Sequence, residues 1–145
     1  MGNTRNFWAA PFEQNNEFGG FGLPSGKVDP GLPIKFRAQS GKEKSNTTIA
    51  IIATDAVLTK AQAKRLAISA HDGFARALWP AHTPFDGDTV FAMATGTSGE
   101  VPAMDDFIDL CAASAAIMAR AIARGIYEAS VAENDLMPTW QKQFG

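Results

Sequence analysis

The chain has 145 residues, 46% apolar and 19% charged, with a formal net charge of -2. That length suits one domain, and the near-neutral charge gives no overall field to recruit nucleic acid or an anionic membrane surface, so neither partner is expected. The single cysteine, Cys111, excludes an internal disulfide and a cysteine-based zinc site, no apolar run reaches the roughly 18 residues of a membrane span, and a reducing, cytoplasmic setting is expected.

Residues 1–46 are rich in turn formers, with Gly19, Gly20, Gly22, Pro24, Gly26, Pro30, Gly31 and Pro33 and little periodicity. This segment reads as an extended linker, or as a strap lying on something outside the chain, with Phe7, Trp8, Phe12, Phe18 and Phe21 as its anchors. A mild basic cluster at 35–44 reads as solvated linker. The run at 48–54, nearly all β-branched or alanine, predicts a short strand covered on both faces. Thr59 with Gln62 three residues on predicts a capped helix start, and Ala63, Leu66, Ala67, Ala70, Phe74 and Leu78 form its apolar stripe up to a stop at Pro80. A second buried strand is predicted at 89–95. A long, alanine-rich helix is predicted from about 105 to about 130, with Asp105, Asp106 and Asp109 favouring its start and Gly125 weakening its end. The tail at 138–145 reads as docked through Trp140 and Phe144. The pattern is α/β (α+β), and two strands are too few to cover two large apolar helices, so further chain or an oligomer is expected to complete the layers.

Two segments can carry chemistry. Asn46-Thr47-Thr48 marks the junction of coil and strand. A hydroxyl there can attack the preceding carbonyl, shift the acyl group from nitrogen to oxygen, and leave Thr47 as a new first residue after hydrolysis. Its freed amine, with a reference pKa of about 7.7–8.0, is neutral often enough to activate the hydroxyl. The plainer reading is two threonines opening a strand. Asp86-Gly87-Asp88 sets two carboxylates about a glycine on a turn, where crowding can tune one as an acid or base; a solvated turn is the plainer reading, and the pair supplies too few ligands for a metal. Pro24-Ser25-Gly26-Lys27 lacks the spacing of a phosphate loop and Gly96-Thr97-Ser98-Gly99 that of a nucleophile elbow; His71 and Cys111 read as packed side chains. No cofactor is expected.

Taken together, Phe18-Gly19-Gly20, NTTIAIIATDA at 46–56, LTKAQAKRL at 58–66, AHDGFARA at 70–77, HTPFDGDTVFAMATG at 82–96 and RAIARGIYEA at 120–129 resemble the family of L-aminopeptidase/D-esterases, β-aminopeptidases and nylon-oligomer hydrolases. The resemblance covers nearly the whole chain. It implies a precursor that cuts itself in two, a four-layer αββα sandwich of the N-terminal-nucleophile type, and an amide hydrolase acting on short peptides or amides. It further implies Thr47 as nucleophile, Asn46–Thr47 as the broken bond, and Asp86 and Asp88 as catalytic aspartates. The aminopeptidase branch has a serine nucleophile and Ser-Gly-Glu in place of Asp-Gly-Asp, so these residues lean toward the threonine branch.

Family polypeptides are more than twice this length. The resemblance places residues 47–145 as the C-terminal part of the hydrolase domain, and implies a missing N-terminal half that supplies a lysine and an oxyanion-hole asparagine. The isolated chain is therefore expected to be poorly folded or inactive, and the assembled protein to be a homo-oligomer. Two other readings compete: a non-catalytic fragment that pairs with a relative, and an ornithine-type acetyltransferase, although no Lys-Gly-Thr-Gly-Met-like segment precedes Thr47.

Overall fold

The computed structural model describes residues 4–28, 47–84, 86–133 and 138–145. The basic cluster at 35–44 and Asn46 lie outside the described residues. In chain order the elements are a 3-10 turn (Ala10–Phe12), β1 (Ile49–Thr54), α1 (Lys60–Ala75), β2 (Thr89–Ala94), α2 (Met104–Glu128) and a short α3 (Trp140–Phe144).

β1, α1 and β2 form a parallel β-α-β unit in which Ile49 pairs with Thr89, Ile52 with Ala92 and Thr54 with Ala94. Parallel neighbours need a crossover, and α1 supplies it. The helix begins as its sequence predicts. Thr59 Oγ1 accepts from the Gln62 amide at 3.2 Å while the Thr59 amide donates back to Gln62 Oε1 at 2.9 Å, a reciprocal cap worth about 1 kcal/mol. It ends at Ala75, a turn earlier than Pro80. A proline ring clashes with the carbonyl four residues before it, so the effect of Pro80 reaches back to Arg76 and the chain leaves the helix there. Leu78, outside the helix proper, still packs on the core.

Alternation along the strands separates two faces. Ile52 and Val90 are buried, with Ala50 and Ala92 beside them, against Leu66, Ala70 and Phe74 of α1 and Met118 of α2. On the other face Ile49, Ile51, Phe91 and Met93 are 72%, 61%, 58% and 46% exposed. The expectation of strands covered on both sides is therefore corrected. Both helices lie to one side, α1 against the sheet and α2 along α1, and no described element crosses the other side. The two helices pack tightly at Gly73, where a Cβ would fall 2.5 Å from the Ala115 carbonyl oxygen and from Met118 Cβ.

α2 starts and ends close to expectation, with Asp105 and Asp106 in its first turn and Asp109 one turn further along. Gly125 does not break it, and the helix runs on to Glu128. The segment ahead of β1 does not wait for an outside partner. Ala9 and Phe18 are buried against Ala119 and Ala123 of α2, with Phe7, Phe12 and Tyr127 around them. Glu13 Oε1 gathers the amides of Phe18 and Gly20, each at 2.9 Å, which folds the Gly19-Gly20 turn. Glu17 meets the Arg120 guanidinium through both carboxylate oxygens, and that contact holds the Glu17 carboxyl below its ordinary range against the opposing effect of burial. The tail docks as expected: the Trp140 ring stacks on Phe7 at 5.8 Å and its indole N–H donates to the Arg5 carbonyl at 3.2 Å. Among the described residues, no helix is long and apolar enough to cross a membrane.

Candidate active site

The leading ends of the two parallel strands bring Thr47 and Thr48 beside Gly87 and Asp88. Carried one step back from β1 and β2, the register sets Thr48 opposite Asp88, and the next step sets Thr47 opposite Gly87. The hydrogen bonds agree. The Thr89 amide donates to the Thr48 carbonyl at 2.9 Å, and the Thr48 amide donates to Asp88 Oδ1 at 2.9 Å. Asp88 thus serves as a side-chain acceptor where the ladder of backbone acceptors has run out.

Thr47 is exposed and falls in phase with Ile49 and Ile51, so it continues the open face of the sheet. It lies directly on Gly87. A Cβ at that position would fall 2.7 Å from Thr47 Oγ1 and 3.3 Å from its Cγ2. The glycine between the two aspartates is therefore needed for room and not for backbone freedom: any side chain there would stand in the space of the threonine hydroxyl.

The aspartates are held by different partners. Asp86 Oδ2 accepts from the Thr83 amide at 2.9 Å and from Thr83 Oγ1 at 2.8 Å, while the Asp86 amide donates back to the Thr83 carbonyl at 3.0 Å. The loop is tied to α1 one residue earlier. His82, at φ 57°, takes the left-handed conformation, its Nε2 is 3.3 Å from the His71 carbonyl, and its ring stacks on Phe74 at 6.1 Å. His71 packs edge-on against Phe74 at 5.3 Å, as a packed helical side chain. Cys111 is half-buried beside the main core, also as read.

Thr83 is not marked by its sequence context as a partner of Asp86. Thr-x-x-Asp has the spacing of a capping box, but no helix follows it to give that spacing its usual meaning. Among the described residues, no group of three or more His, Cys, Asp or Glu side chains could hold a metal ion. One groove, of about 470 Å³, runs past Glu17, Ile117, Arg120 and Arg124, and another, of about 190 Å³, lies between Phe7, Trp8, Ile126 and Trp140. Thr47, Asp86 and Asp88 line neither.

An exposed hydroxyl on a strand end, a glycine beneath it, and carboxylates held by the Thr48 amide and by Thr83 are residue types from which a nucleophilic hydrolase site can be built. Comparison with known proteins agrees with this class. The profile of peptidase family S58 matches residues 12–135, and the chain belongs to that family. It is 44% identical over 109 residues to uncharacterized aminopeptidases of Mycobacterium tuberculosis and Mycobacterium bovis, an alignment covering 68% of this chain and 31% of each relative. An uncharacterized aminopeptidase of Mycobacterium leprae is 61% identical over 51 residues, covering 35% of this chain and 14% of the relative. The chain thus spans about a third of the length of the first of these relatives.

Proposed function

We propose that the protein is a self-processed peptidase or amide hydrolase whose nucleophile is Thr47, made an N-terminal residue by cleavage of the Asn46–Thr47 bond. The observation that carries this is the seat of Thr47: an exposed hydroxyl lying on Gly87, between the two aspartates, with the next amide tied to Asp88. Membership of a peptidase family and aminopeptidase-named relatives support the reaction class.

In the first step Thr47 Oγ attacks the Asn46 carbonyl carbon. The C–N bond breaks, an ester forms, and the Thr47 nitrogen leaves as a free amine carrying the hydroxyl proton. Water then splits the ester, leaving Asn46 as a carboxylate and restoring the hydroxyl. In turnover the same oxygen attacks a substrate amide carbonyl, with the terminal amine as base. The departing amine takes that proton, and water releases the acid from the resulting ester. Asp88 holds the strand end in place, and Asp86 and Asp88 orient the nucleophile and help move protons. Substrates are short peptides or amides.

The remaining parts come from outside this chain. The open face of β1 and β2 presents four large apolar side chains, each gaining roughly 1–2 kcal/mol on full burial. A second sheet laid on that face completes a four-layer αββα sandwich, and the N-terminal portion supplies it together with the oxyanion donor and the pocket walls. The assembled protein is a homo-oligomer of processed protomers.

The test is intact mass spectrometry of the full-length protein. Two polypeptides are expected, the smaller starting at Thr47, and Thr47→Ala should leave a single uncut chain without amidase activity. Two polypeptides from the alanine variant would refute the assignment.

A further inference from the structure

We infer that Thr83 is a positioning residue for the reaction, acting through Asp86 by a clasp that fixes one carboxylate oxygen and so sets the carboxyl group on the turn that carries Gly87. This rests on the reading of Thr47, Asp86 and Asp88 as the reactive group.

The carboxylate of Asp86 follows a loop, not a strand, and a loop side chain of this kind has several rotamers open to it. Two hydrogen bonds to its side chain remove that freedom, and a third holds the backbone of the turn. Thr83 gives its amide and its hydroxyl to one oxygen, Oδ2, and takes the Asp86 amide on its carbonyl. Both donors on a single oxygen fix the carboxyl plane as well as its place, which one bond cannot do. The clasp is itself braced, because the neighbouring His82 is bound to the His71 carbonyl of α1 and stacked on Phe74, which is fully buried. The order of support runs from the core through Phe74, His82 and Thr83 to Asp86, and then past Gly87 to the residue that lies on it, Thr47.

Asp88 needs no such device. It accepts from the Thr48 amide and sits next to β2, so the strand pair orients it. The two aspartates therefore reach fixed positions by different means, one through the sheet and one through the Thr83 hydroxyl. The cap of α1 has the same hydroxyl contact, Thr59 Oγ1 to Gln62 Oε1 at 2.9 Å, but at 83–86 no helix follows and the acceptor is a carboxylate next to Gly87.

The experiment uses the full-length protein with Thr83→Val, Thr83→Ala and Thr83→Ser, alone and combined with Asp86→Asn. Self-cleavage is followed by mass spectrometry and amide turnover by steady-state kinetics. Loss of the hydroxyl should lower the cleavage rate and kcat by about tenfold to a hundredfold, with KM unchanged if Thr83 acts only through Asp86. Thr83→Ser keeps the hydroxyl and should stay within about twofold of the parent rate. In the Asp86→Asn background the valine and alanine variants should have no further effect on the rates, since the carboxylate that Thr83 positions is gone even though an acceptor oxygen remains. Using two hydroxyl-free variants of different size guards against one failing to fold. The inference is overturned if Thr83→Val or Thr83→Ala runs at the parent rate while Asp86→Asn is impaired, if Thr83→Ser loses tenfold or more, or if the two residues act independently in the cycle. If Asp86→Asn is itself unimpaired, the reading of the whole site falls, and the clasp with it.

Discussion

The two faces of the β1–β2 sheet carry much the same chemistry and meet opposite fates. On one, Ile52 and Val90 are 7% and 8% exposed beneath α1. On the other, Ile51 and Phe91 are 61% and 58% exposed. Neither composition nor strand propensity separates them, since both sets are β-branched, aromatic or small. What separates them is the crossover. A β-α-β unit returns on one side only, so it buries one face by its own connectivity and leaves the other to be covered by something else. The covered face gives the unit its core, and the open one is left available to a further layer.

The sharpest way to break this comparison is to empty the covered side. Phe74 is fully buried, and Phe74→Ala should cost about 3–5 kcal/mol, seen as a lower urea midpoint in the full-length protein and as lost helical circular dichroism in this chain alone. The open face should respond differently in the two settings. Ile51→Asp in this chain alone should leave helicity unchanged and reduce aggregation measured by light scattering, because it interrupts an apolar patch. In the full-length protein the same change should be damaging, since it would bury a charge. If Ile51→Asp were harmless in both, nothing would pack on that face. A smaller effect tests the segment ahead of β1, which is closed like the covered side but partly through an ion pair. The Glu17 carboxyl has its folded pKa depressed by Arg120, so its stabilising contribution is present above the unfolded value of about 4.3 and is lost as pH falls through the folded value. Glu17→Gln should lower the thermal midpoint slightly near neutral pH, and the difference from the parent should vanish at the acid end of a pH series. A difference that persists there would mean the contact does not depend on the charge.

Much of this was legible in the sequence, and the limits have physical causes. The capped start of α1 is legible because Thr59 and Gln62 are a local reciprocal pair, and β1 and β2 because runs such as IAIIAT leave few alternatives. The exposure of one strand face was not legible, since a continuous apolar run carries no alternation to mark which side is covered. The docking of the leading segment was missed for a related reason. Phe7, Phe12 and Phe18 announce that they will be buried, but without periodicity they do not say against what, and the answer was Ala119 and Ala123 on a helix a hundred or so residues away. At the site, the approach of Thr47 to the Asp86–Asp88 turn follows from parallel pairing, which strand-helix-strand order favours. The close packing of Gly87 on Thr47 and the hold of Thr83 on Asp86 depend on loop geometry, which residue types alone do not fix.

The tether between the Thr48 amide and Asp88 has one more implication. It lies downstream of the bond proposed to break, so severing the backbone ahead of Thr47 removes covalent support from one side while the mooring on the other is untouched. The freed chain start need not search for its place. On the proposed reading it would already be berthed when the bond ahead of it breaks, and the segment packed on α2 would stay where it is.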